Sequence, residues 1–597
     1  MTALTDITNR IIERSKASRE VYLDMTQQMR DDPGSRGRMS CSNWAHVVAA
    51  SSDEDKVLLP EGEIANIGIV TAYNDMLSAH QPFASYPNHI KLVARSMGAT
   101  AQVAGGVPAM CDGVTQGQPG MELSLISRDV IAMSTAVSLS HAVYDAVVCL
   151  GVCDKIAPGL VIGALQFGHL PVIFAPAGPM PSGITNKEKA EARQEFAAGR
   201  ISKQDLQAVE SAAYHSAGTC TFYGTANTNQ LLLEALGLQI AGTSFVNPET
   251  DLRKELTTDS VKRVLSMIGE NKSAYSISQI VNEKSIVNAI VIMVATGGST
   301  NLCLHLISMA EAAGIKIDWR DIDEISKITP LLARVYPNGT ADVNQFQAAG
   351  GLAHVVSELR KVSGLNEDVT NIMGEGLDYY AKNPKIEDKQ LVWRTPSKDQ
   401  FDDAIVSTID QPFASEGGIS LVEGQLGTAV VKVSAVDKQH QSITAPCKIF
   451  SDQSDFIQAY QNGELNCDHV AVVRFQGPAS NGMPELHKLT PFLGLAQDQG
   501  YKVALVTDGR MSGASGKVLA AIHVTPEAKR DGLIAKLVDG DVITIDAEKG
   551  ILEVENAEQI KRRESAIAPK SATTYGRGLF NRIRELMTDA SDGGSFI

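Results

Sequence analysis

Residues 146–163 read AVVCLGVCDKIAPGLVIG, and they predict a strand, a polar loop and a helix in succession. The apolar run Ala146–Val152 is typical of a buried strand, and a Pro-Gly pair opens the helix. The loop between them carries the triplet Cys153–Lys155, which is a thiol, a carboxylate and an amine. Ligands of open α/β sheets bind at the carboxyl ends of strands, so this position favours a functional loop. A surface turn with a half-buried cysteine explains the triplet alone about equally well.

The same alternation of apolar runs, Gly/Pro loops and helical stretches extends from about residue 64 to residue 310. This alternation indicates an α/β domain. Residues 1–60 and 310–385 are predicted to be mainly helical. Further strands are predicted at Ile67–Ala72, Pro171–Ala175 and Ile286–Ala295, and helices at Leu123–Asp145 and Gln230–Leu236.

The pattern changes after residues 380–400, a polar segment whose two prolines predict a linker. Apolar runs with little helix between them then predict a smaller β-rich, barrel-like domain. We expect a large N-terminal α/β domain at residues 1–390, a C-terminal domain at 391–597, and the active site between them. The final stretch TDASDGGSFI is expected to be loose. Strands of the second domain are predicted at Leu426–Val433, Ala445–Phe450, His469–Phe475, Lys502–Thr507 and Asp541–Ala547.

The composition excludes several classes of partner. The chain has 597 residues, 44% of them apolar, and a net charge of −16. This acidic balance disfavours a nucleic acid or an anionic membrane as partner, because both require a basic surface. The longest apolar run is far shorter than the ~20 residues of a spanning helix, and the N-terminus lacks an apolar signal core. We therefore expect the cytoplasm, where eight cysteines do not predict a disulfide framework.

Two further cysteines lie among residues that suit inorganic ligands. Cys220 stands in GTCTFYGTANTNQ, where small and hydroxyl residues would let backbone N–H groups approach a cluster or an anion. Taken alone, that segment is better explained as a threonine-rich turn before a helix. Cys111 precedes Asp112 in GGVPAMCDGVTQGQPGMELSL. Asp112 and Asp154 are loop carboxylates that suit a hard cation such as Mg²⁺, although Asp-Gly also favours a simple turn.

The second domain contributes two Gly-rich stretches. Glu485 is predicted at the start of a helix in RFQGPASNGMPELHKLTP, and Ser512 follows a strand in ALVTDGRMSGASGK. The second stretch lacks the spacing of a P-loop, and no histidine is adjacent to the serine. Plain connections with an exposed polar residue explain both stretches about equally well. The stretch ATGGSTN at residues 295–301 is interpreted as another strand-end loop that could offer amide donors, or as a tight turn before a helix.

Together these stretches resemble one family, the dehydratases that comprise dihydroxy-acid dehydratase and 6-phosphogluconate dehydratase. The stretches CDKIAPGLVIG and LVTDGRMSGAS are similar to its two signatures, and the resemblance covers nearly the whole chain. TAYNDMLSAHQP, GTCTFYGTANTNQ and NGMPELHKLTP are more similar to the phosphogluconate branch. The resemblance implies a homodimeric iron–sulfur hydro-lyase of the Entner–Doudoroff route, which converts 6-phospho-D-gluconate to 2-dehydro-3-deoxy-6-phospho-D-gluconate.

The resemblance also implies which residues hold an iron–sulfur cluster. Two family ligands correspond to Cys153 and Cys220. Many dihydroxy-acid dehydratases carry a third cysteine in the early loop, where this chain has Ala79. Cys111 is our candidate for the replacement. A 4Fe–4S cluster is preferred over a 2Fe–2S cluster, and three thiolates would leave one iron open in either type.

The family's divalent-metal site, for Mg²⁺ or Mn²⁺, corresponds to Asp112, Asp154, Glu485 and Lys155. The lysine is similar to one that is carbamylated in relatives, and it is also predicted to be catalytic. The family's catalytic serine corresponds to Ser512, the implied base for the C2 proton. A dehydration in which the cluster, the divalent metal and the serine act on one substrate requires these groups to meet in one cleft. Glu485 and Ser512 must then lie within about 15 Å of Cys153 in a closed structure.

Three alternatives stay open on the sequence. A related lyase would act on branched 2,3-dihydroxy acids or unphosphorylated sugar acids. A regulatory iron–sulfur protein with an inactive site would lack some of the metal ligands or the catalytic base. This chain has all the metal ligands and the serine base that the resemblance implies. A zinc protein is disfavoured, because the chain has no CxxC pair and no HExxH motif. The phosphate site is not identified: Arg510 and Lys517 have suitable charge, but ordinary salt bridges explain both at least as well.

Overall fold

A computed structural model describes residues 3–32, 39–59, 64–269, 274–512 and 516–597. Residues 513–515, which end the second signature, therefore lie outside the described residues. The N-terminal region is a layered α/β structure, and an eight-stranded closed barrel follows it. The fold class predicted from the sequence is confirmed. In the described part of the chain, no helix is both long and apolar enough to cross a membrane.

A four-stranded parallel sheet organises the N-terminal region, with the strand order β2-β1-β3-β4. Ile69 of the first strand lies between Val103 and Val148 of its two neighbours. The chain thus winds outward from β1 in both directions, and such a reversal opens a crevice at the carboxyl ends of the strands. The strands are β1 Asn66–Thr71, β2 Thr100–Gly106, β3 Ala146–Leu150 and β4 Val172–Phe174.

Helices surround this sheet, and two of them, Ser124–Leu139 and Ile156–Leu165, pack closely against each other. A Cβ atom on Gly159 or Gly163 would lie 2.5 Å from a backbone oxygen of the facing helix, at Arg128 and Ala132 respectively. Glycine is therefore required for this contact between α6 and α7. The helices are α1 Ala3–Asp31, α2 Cys41–Ala49, α3 Asp53–Leu58, α4 Tyr86–Ser96, α5 Asp112–Thr115, α6 Ser124–Leu139, α7 Ile156–Leu165, α8 Asn186–Ala197, α9 Lys203–Ala213, α10 Thr225–Ala235, α11 Asp251–Ser266, α12 Ile277–Ile280, α13 Glu283–Ala295, α14 Leu302–Ala312, α15 Trp319–Ile328, α16 Val343–Ala348 and α17 Gly351–Arg360.

The strand predicted at Ile286–Ala295 is wrong, because these residues form most of α13. Asn282 caps the helix by accepting a hydrogen bond from the backbone N–H of Ser285. The helix is buried on all sides from Ser285 onward, so its apolar residues show no helical periodicity. The stretch ATGGSTN consequently follows a helix and not a strand.

The predicted linker is also partly wrong, because residues 383–394 form a β-hairpin. Its strands are β7 Asn383–Glu387 and β8 Gln390–Arg394, and the short β5 Thr370–Asn371 and β6 Gly374–Glu375 precede it. Trp393 donates a hydrogen bond to the carbonyl of Ala241, which attaches the hairpin to the N-terminal region. Residues 370–394 are therefore not helical, contrary to the expectation for the end of the segment 310–385.

The barrel closes in the strand order β10-β14-β13-β12-β11-β15-β16-β9. Val422 and Val431 fill its interior, whereas Leu421 and Val430 point outward into the N-terminal core. Five barrel strands were predicted, and β9, β14 and β16 were not. The strands are β9 Ile419–Gly424, β10 Gly427–Lys432, β11 Ser442–Phe450, β12 His469–Val473, β13 Val503–Thr507, β14 Leu519–Thr525, β15 Val542–Asp546 and β16 Ile551–Val554, with helices α18 Gln453–Gln461, α19 Pro478–Asn481, α20 Leu489–Asp498, α21 Ala557–Lys561 and α22 Asn581–Leu586.

The sequence predicts a loose C-terminal stretch, and this prediction is wrong. The stretch is hydrogen-bonded to α6. Arg128 donates hydrogen bonds of 2.9 Å to the carbonyls of Gly593 and Gly594. Asp129 accepts hydrogen bonds of 2.9 Å from the Ser595 hydroxyl and the Phe596 backbone N–H. Two buried charged side chains thus find hydrogen-bond partners in the last residues of the chain. The small polar residues of this stretch do not reveal these contacts in the sequence.

Deletion of residues 593–597 should therefore destabilise the protein. Removing these partners of Arg128 and Asp129 should lower the free energy of unfolding by roughly 2–4 kcal/mol. Thermal unfolding under anaerobic conditions measures the change. Ile597→Ala is the matched control, because this side chain is exposed. An unchanged melting temperature for the deletion would mean that the C-terminus is not part of the folded core.

Candidate active site

Three cysteines follow three of the four strands of the parallel sheet. Cys111 follows β2, Cys153 follows β3, and Cys220 follows β4 through a bridge between Pro179 and Thr219. The carboxyl ends of parallel strands lie at one edge of the sheet, so the loops that leave them meet. The sheet topology therefore accounts for the proximity of cysteines that are far apart in the sequence.

The thiols of Cys111 and Cys153 lie within hydrogen-bond range, and Cys220 interacts electrostatically with both. The contact with Cys153 lowers the pKa of Cys111, whereas the same contact and burial raise the pKa of Cys153. Burial raises the pKa of Cys220 to about 12. None of these cysteines forms a disulfide. Three converging sulfur donors fit an iron–sulfur cluster, whose usual protein ligands are cysteine thiolates.

The loop with Cys153 is held in an unusual backbone conformation. Cys153 has a φ of +74°, which side chains other than glycine rarely adopt. Asn229 of α10 donates a hydrogen bond of 2.8 Å to the carbonyl of Asp154, and His80 contacts the Val152 carbonyl at 3.2 Å. Contacts from two other segments therefore stabilise the strained loop.

The threonine-rich segment around Cys220 folds largely through its own polar groups. Asn227 donates hydrogen bonds to the carbonyls of Cys220 at 2.6 Å and Phe222 at 2.8 Å. The hydroxyl of Thr219 donates to the Asn227 side chain at 2.9 Å. The simpler interpretation, a turn that leads into a helix, thus describes the local structure correctly, because α10 begins at Thr225. The structure adds that this turn brings its cysteine to the other two.

Ala79 lies in the loop after β1 and is buried. Cys111 follows β2, the strand next to β1 in the sheet. Ala79, at the position that the family resemblance implies for a third cysteine, and Cys111 therefore belong to adjacent loops. This adjacency supports Cys111 as the source of the third thiol.

Three carboxylates form a compact group beside the cysteines. Asp112, Asp154 and Glu485 each offer an oxygen atom within 4.8 Å of the other two. Asp112 and Glu485 are buried, and Asp154 is half-buried. Clustered carboxylate oxygens are the donors that Mg²⁺ and Mn²⁺ prefer.

Two buried cations face the carboxylates. Lys155 Nζ forms ion pairs with Asp112 and, at 2.9 Å, with Asp154. Arg510 Nη2 lies 2.8 Å from Asp112, and its Nη1 lies 3.3 Å from Glu485. Neutral donors complete the group, because the Ser124 hydroxyl donates to Asp112 and Gln116 donates to Glu485 at 2.6 Å.

Sequence reasoning missed the role of Arg510. It considered Arg510 and Lys517 for a phosphate site, whereas each forms a salt bridge: Arg510 within the carboxylate group, and Lys517 with Asp498 at 2.5 Å. The position of the arginine inside the signature LVTDGRMSGAS was the available signal. Ser124 and Gln116 gave no comparable signal.

The three carboxyl groups differ in acidity. Burial opposes the ionisation of Asp112, but Lys155 and Arg510 hold its pKa well below the usual range. Burial raises the pKa of Asp154 to about 6, and burial together with the charge of Asp112 raises the pKa of Glu485 to about 7. A divalent cation would therefore replace protons at this group near neutral pH.

Both regions of the fold contribute to the carboxylate group. Asp112, Asp154 and Lys155 belong to the N-terminal region, and Glu485 and Arg510 come from loops of the barrel region. The prediction that Glu485 starts a helix is wrong. Glu485 forms an isolated β-bridge with Arg510, and the next helix, α20, begins four residues later at Leu489. The site thus lies between the two regions, and Glu485 satisfies the distance limit that the mechanism requires.

Ser512 lies on the loop after β13, two residues beyond Arg510, and is half-buried. Asn301 of the ATGGSTN stretch donates a hydrogen bond of 3.3 Å to the adjacent Met511 carbonyl. Ser512 lines a cavity together with Thr300 and Lys432, and the three carboxylates do not line it. The serine therefore borders a cavity that is separate from the carboxylate group.

Known proteins are similar to this chain over nearly its whole length. Residues 65–380 match the family described as dihydroxy-acid/6-phosphogluconate dehydratase N-terminal, and residues 404–594 match its C-terminal counterpart. A phosphogluconate dehydratase of Pseudomonas aeruginosa is 54% identical over 98% of this chain and 97% of its own. The enzyme of the same name from Zymomonas mobilis is 53% identical over 98% and 97%. A dihydroxy-acid dehydratase of Nitratiruptor is 32% identical over 88% and 93%.

The raised pKa values of Glu485 and Asp154 predict a pH-dependent metal affinity. Protons compete with the cation at both carboxyl groups below about pH 7, so Mg²⁺ should bind more weakly as the pH falls from 8 to 6. Protonation of a group with a pKa near 7 weakens binding about tenfold at pH 6. Calorimetric titration of chelator-treated protein measures this change. Glu485→Gln should bind Mg²⁺ more weakly and with a smaller pH dependence, whereas equal wild-type affinity at both pH values would exclude these carboxylates as the metal site.

Proposed function

This chain belongs to the dihydroxy-acid/6-phosphogluconate dehydratase family, and we propose that it is an iron–sulfur-dependent hydro-lyase acting on 6-phospho-D-gluconate. Its product is 2-dehydro-3-deoxy-6-phospho-D-gluconate, formed in the Entner–Doudoroff route. The main support is the convergence of three thiols and three carboxylates between the two regions of the fold. The choice of substrate follows the relatives named phosphogluconate dehydratase, which exceed 50% identity over nearly their full length.

Two inorganic groups belong to this proposal. Cys111, Cys153 and Cys220 would hold the cluster, of the 4Fe–4S type in preference to 2Fe–2S. Asp112, Asp154 and Glu485, together with Lys155, would hold Mg²⁺ or Mn²⁺. When bound, these groups supply Lewis acidity for the leaving C3 hydroxyl and positive charge for the carboxylate and C2 hydroxyl.

The remaining steps fall to side chains of the chain. Ser512 takes the C2 proton, which a serine can do only as an alkoxide beside strong positive charge. Its place two residues beyond Arg510, which pairs with Asp112, supports this role. Loss of the C2 proton and of the C3 hydroxyl forms an enol, and the enol then ketonises to the 2-keto acid.

Lys155 has a second role in the proposal. Its amine lies between Asp112 and Asp154, where a carbamate formed on it would add an anionic oxygen to the metal ligands. Carbamylation would also remove the positive charge that now pairs with both carboxylates. We further propose that the enzyme works in the cytoplasm as a homodimer, on the basis of the sequence and the family resemblance.

Formation of 2-keto acid from 6-phosphogluconate by anaerobically purified protein tests the function. A brown protein that turns over this substrate with Mg²⁺, and not a branched 2,3-dihydroxy acid, is the expected result. Activity only on another polyhydroxy acid would retain the chemistry and exclude the substrate. A colourless protein that stays inactive after anaerobic cluster reconstitution would contradict the cysteine assignment.

Ser512→Ala tests the proposed base. This variant should fold and bind cluster normally but lose about 10²–10⁴-fold in kcat, the usual contribution of a general base. Steady-state kinetics with iron and sulfide analysis measures both properties. Ser454→Ala, at an exposed serine of the same region, is the control and should keep full activity. Near-wild-type turnover of Ser512→Ala would exclude the serine as the base.

Cys111→Ser tests the third thiol. Loss of one cluster ligand should lower the bound iron and sulfide and the visible absorbance, with little change in secondary structure, because Cys111 lies in a loop. Cys467→Ser is the control, since this cysteine is exposed and distant in the sequence from the other candidates. A normal cluster content in Cys111→Ser would mean that another residue completes the ligand set.

A further inference from the structure

The last residue of β10 is a buried lysine without a partner. Lys432 is only 9% exposed, and its Nζ atom has no hydrogen-bond partner among the described residues. Burial lowers its pKa to about 7, because no carboxylate offsets the loss of solvation. An ammonium group in such a place is unfavourable unless a counter-charge reaches it.

Lys432 differs from the other buried lysines of the described chain. Lys155 pairs with the carboxylate group, and Lys189 contacts the side-chain oxygens of Asn186 and Tyr214. Lys432 has neither kind of contact. The compensating charge for this lysine is therefore not found within the described protein.

The lysine lines the cavity that also contains Ser512. Two threonine hydroxyls, from Thr300 and Thr490, line the same cavity, and the rest of the wall is mainly apolar. An amine and several hydroxyls in an otherwise apolar wall are donors suited to an oxyanion. The cavity shares the proposed base with the active site but none of the proposed metal ligands.

We infer that this cavity is the subsite for an oxyanion group of the substrate, with Lys432 as the positive charge that binds it. The inference rests on the proposed function, whose substrate carries a carboxylate at one end and a phosphate at the other. The carboxylate is assigned to the metal site in that proposal. The separation of the cavity from the metal ligands therefore favours the phosphate as its occupant.

Two competing ligands distinguish the two ends of the substrate. Sorbitol 6-phosphate has the phosphate and no carboxylate, and gluconate has the carboxylate and no phosphate. Their inhibition constants are measured against 6-phosphogluconate with anaerobic holoenzyme, for the wild type and for Lys432→Met. The methionine keeps most of the length and the apolar stem of the side chain and removes the ammonium group.

The inhibition constant of one probe should rise about 10- to 100-fold in Lys432→Met, as expected for the loss of a charged hydrogen-bond donor. A rise for sorbitol 6-phosphate alone assigns the cavity to the phosphate, and a rise for gluconate alone assigns it to the carboxylate. Equal effects on both probes, or no effect on either, would overturn the inference. Lys448→Met, at a half-buried lysine of β11, the strand opposite β10 in the barrel, is the control and should change neither constant.

A second test uses only the wild-type protein, so its result does not depend on whether Lys432→Met folds. The probe that occupies the cavity should protect Lys432 from an amine-acylating reagent, as quantified by peptide mass spectrometry, while Lys448 labelling stays constant. Labelling of Lys432 that neither probe changes would also overturn the inference. If the wild type binds the probes but does not turn over 6-phosphogluconate, the proposed function fails separately, because the labelling result does not depend on turnover.

Discussion

The ion pairs between Arg510 and the carboxylates of Asp112 and Glu485 join the two regions of this protein. Arg510 and Asp112 are 398 residues apart in the sequence, and both are buried at the junction. A buried charge that loses its partner is strongly destabilising, so neither region can present its part of the site without the other. The contacts of the carboxylate group and the packing of the two regions therefore depend on each other. The proposed chemistry needs this closure, because the thiols lie on one side of the junction and Ser512 on the other.

The parallel sheet determines the rest of the site. Its parallel strands end at one edge, where Cys111 follows β2 and Cys153 follows β3. Cys220 comes after α8 and α9, and the bridge between Thr219 and Pro179 returns it to the segment that leaves β4. The direct packing of α7 on α6 through two glycines extends this arrangement. Ser124, the first residue of α6, hydrogen-bonds Asp112, and the same helix holds the C-terminal residues through Arg128 and Asp129. The end of the chain thus supports the same end of α6 that contacts the carboxylate group.

The electrostatics divide the site into two parts. In the carboxylate group, three acids face two cations, so a negative charge remains for a divalent ion to neutralise. In the neighbouring cavity, Lys432 has no hydrogen-bond partner and no neutralising acid among the described residues. Opposite unbalanced charges in the carboxylate group and in the cavity lined by Ser512 suit a substrate whose anionic ends are separated by a neutral polyol chain. The serine would then lie near the carbon atoms that react.

The sequence by itself determined the local parts of this protein. Patterns of neighbouring residues are sufficient to recognise the family and several local elements. These elements are the strand, loop and helix around Cys153, the turn at Cys220 and five barrel strands. Only the tertiary structure decided that Cys111 meets Cys153, that Arg510 pairs with the carboxylates, and that Lys432 finds no partner in the described part of the chain. It also decided that residues 286–295 are helical, since burial on every side removes the periodicity that distinguishes a helix from a strand. Each of these features depends on contacts between residues that are distant in the sequence, and local spacing carries no information about them.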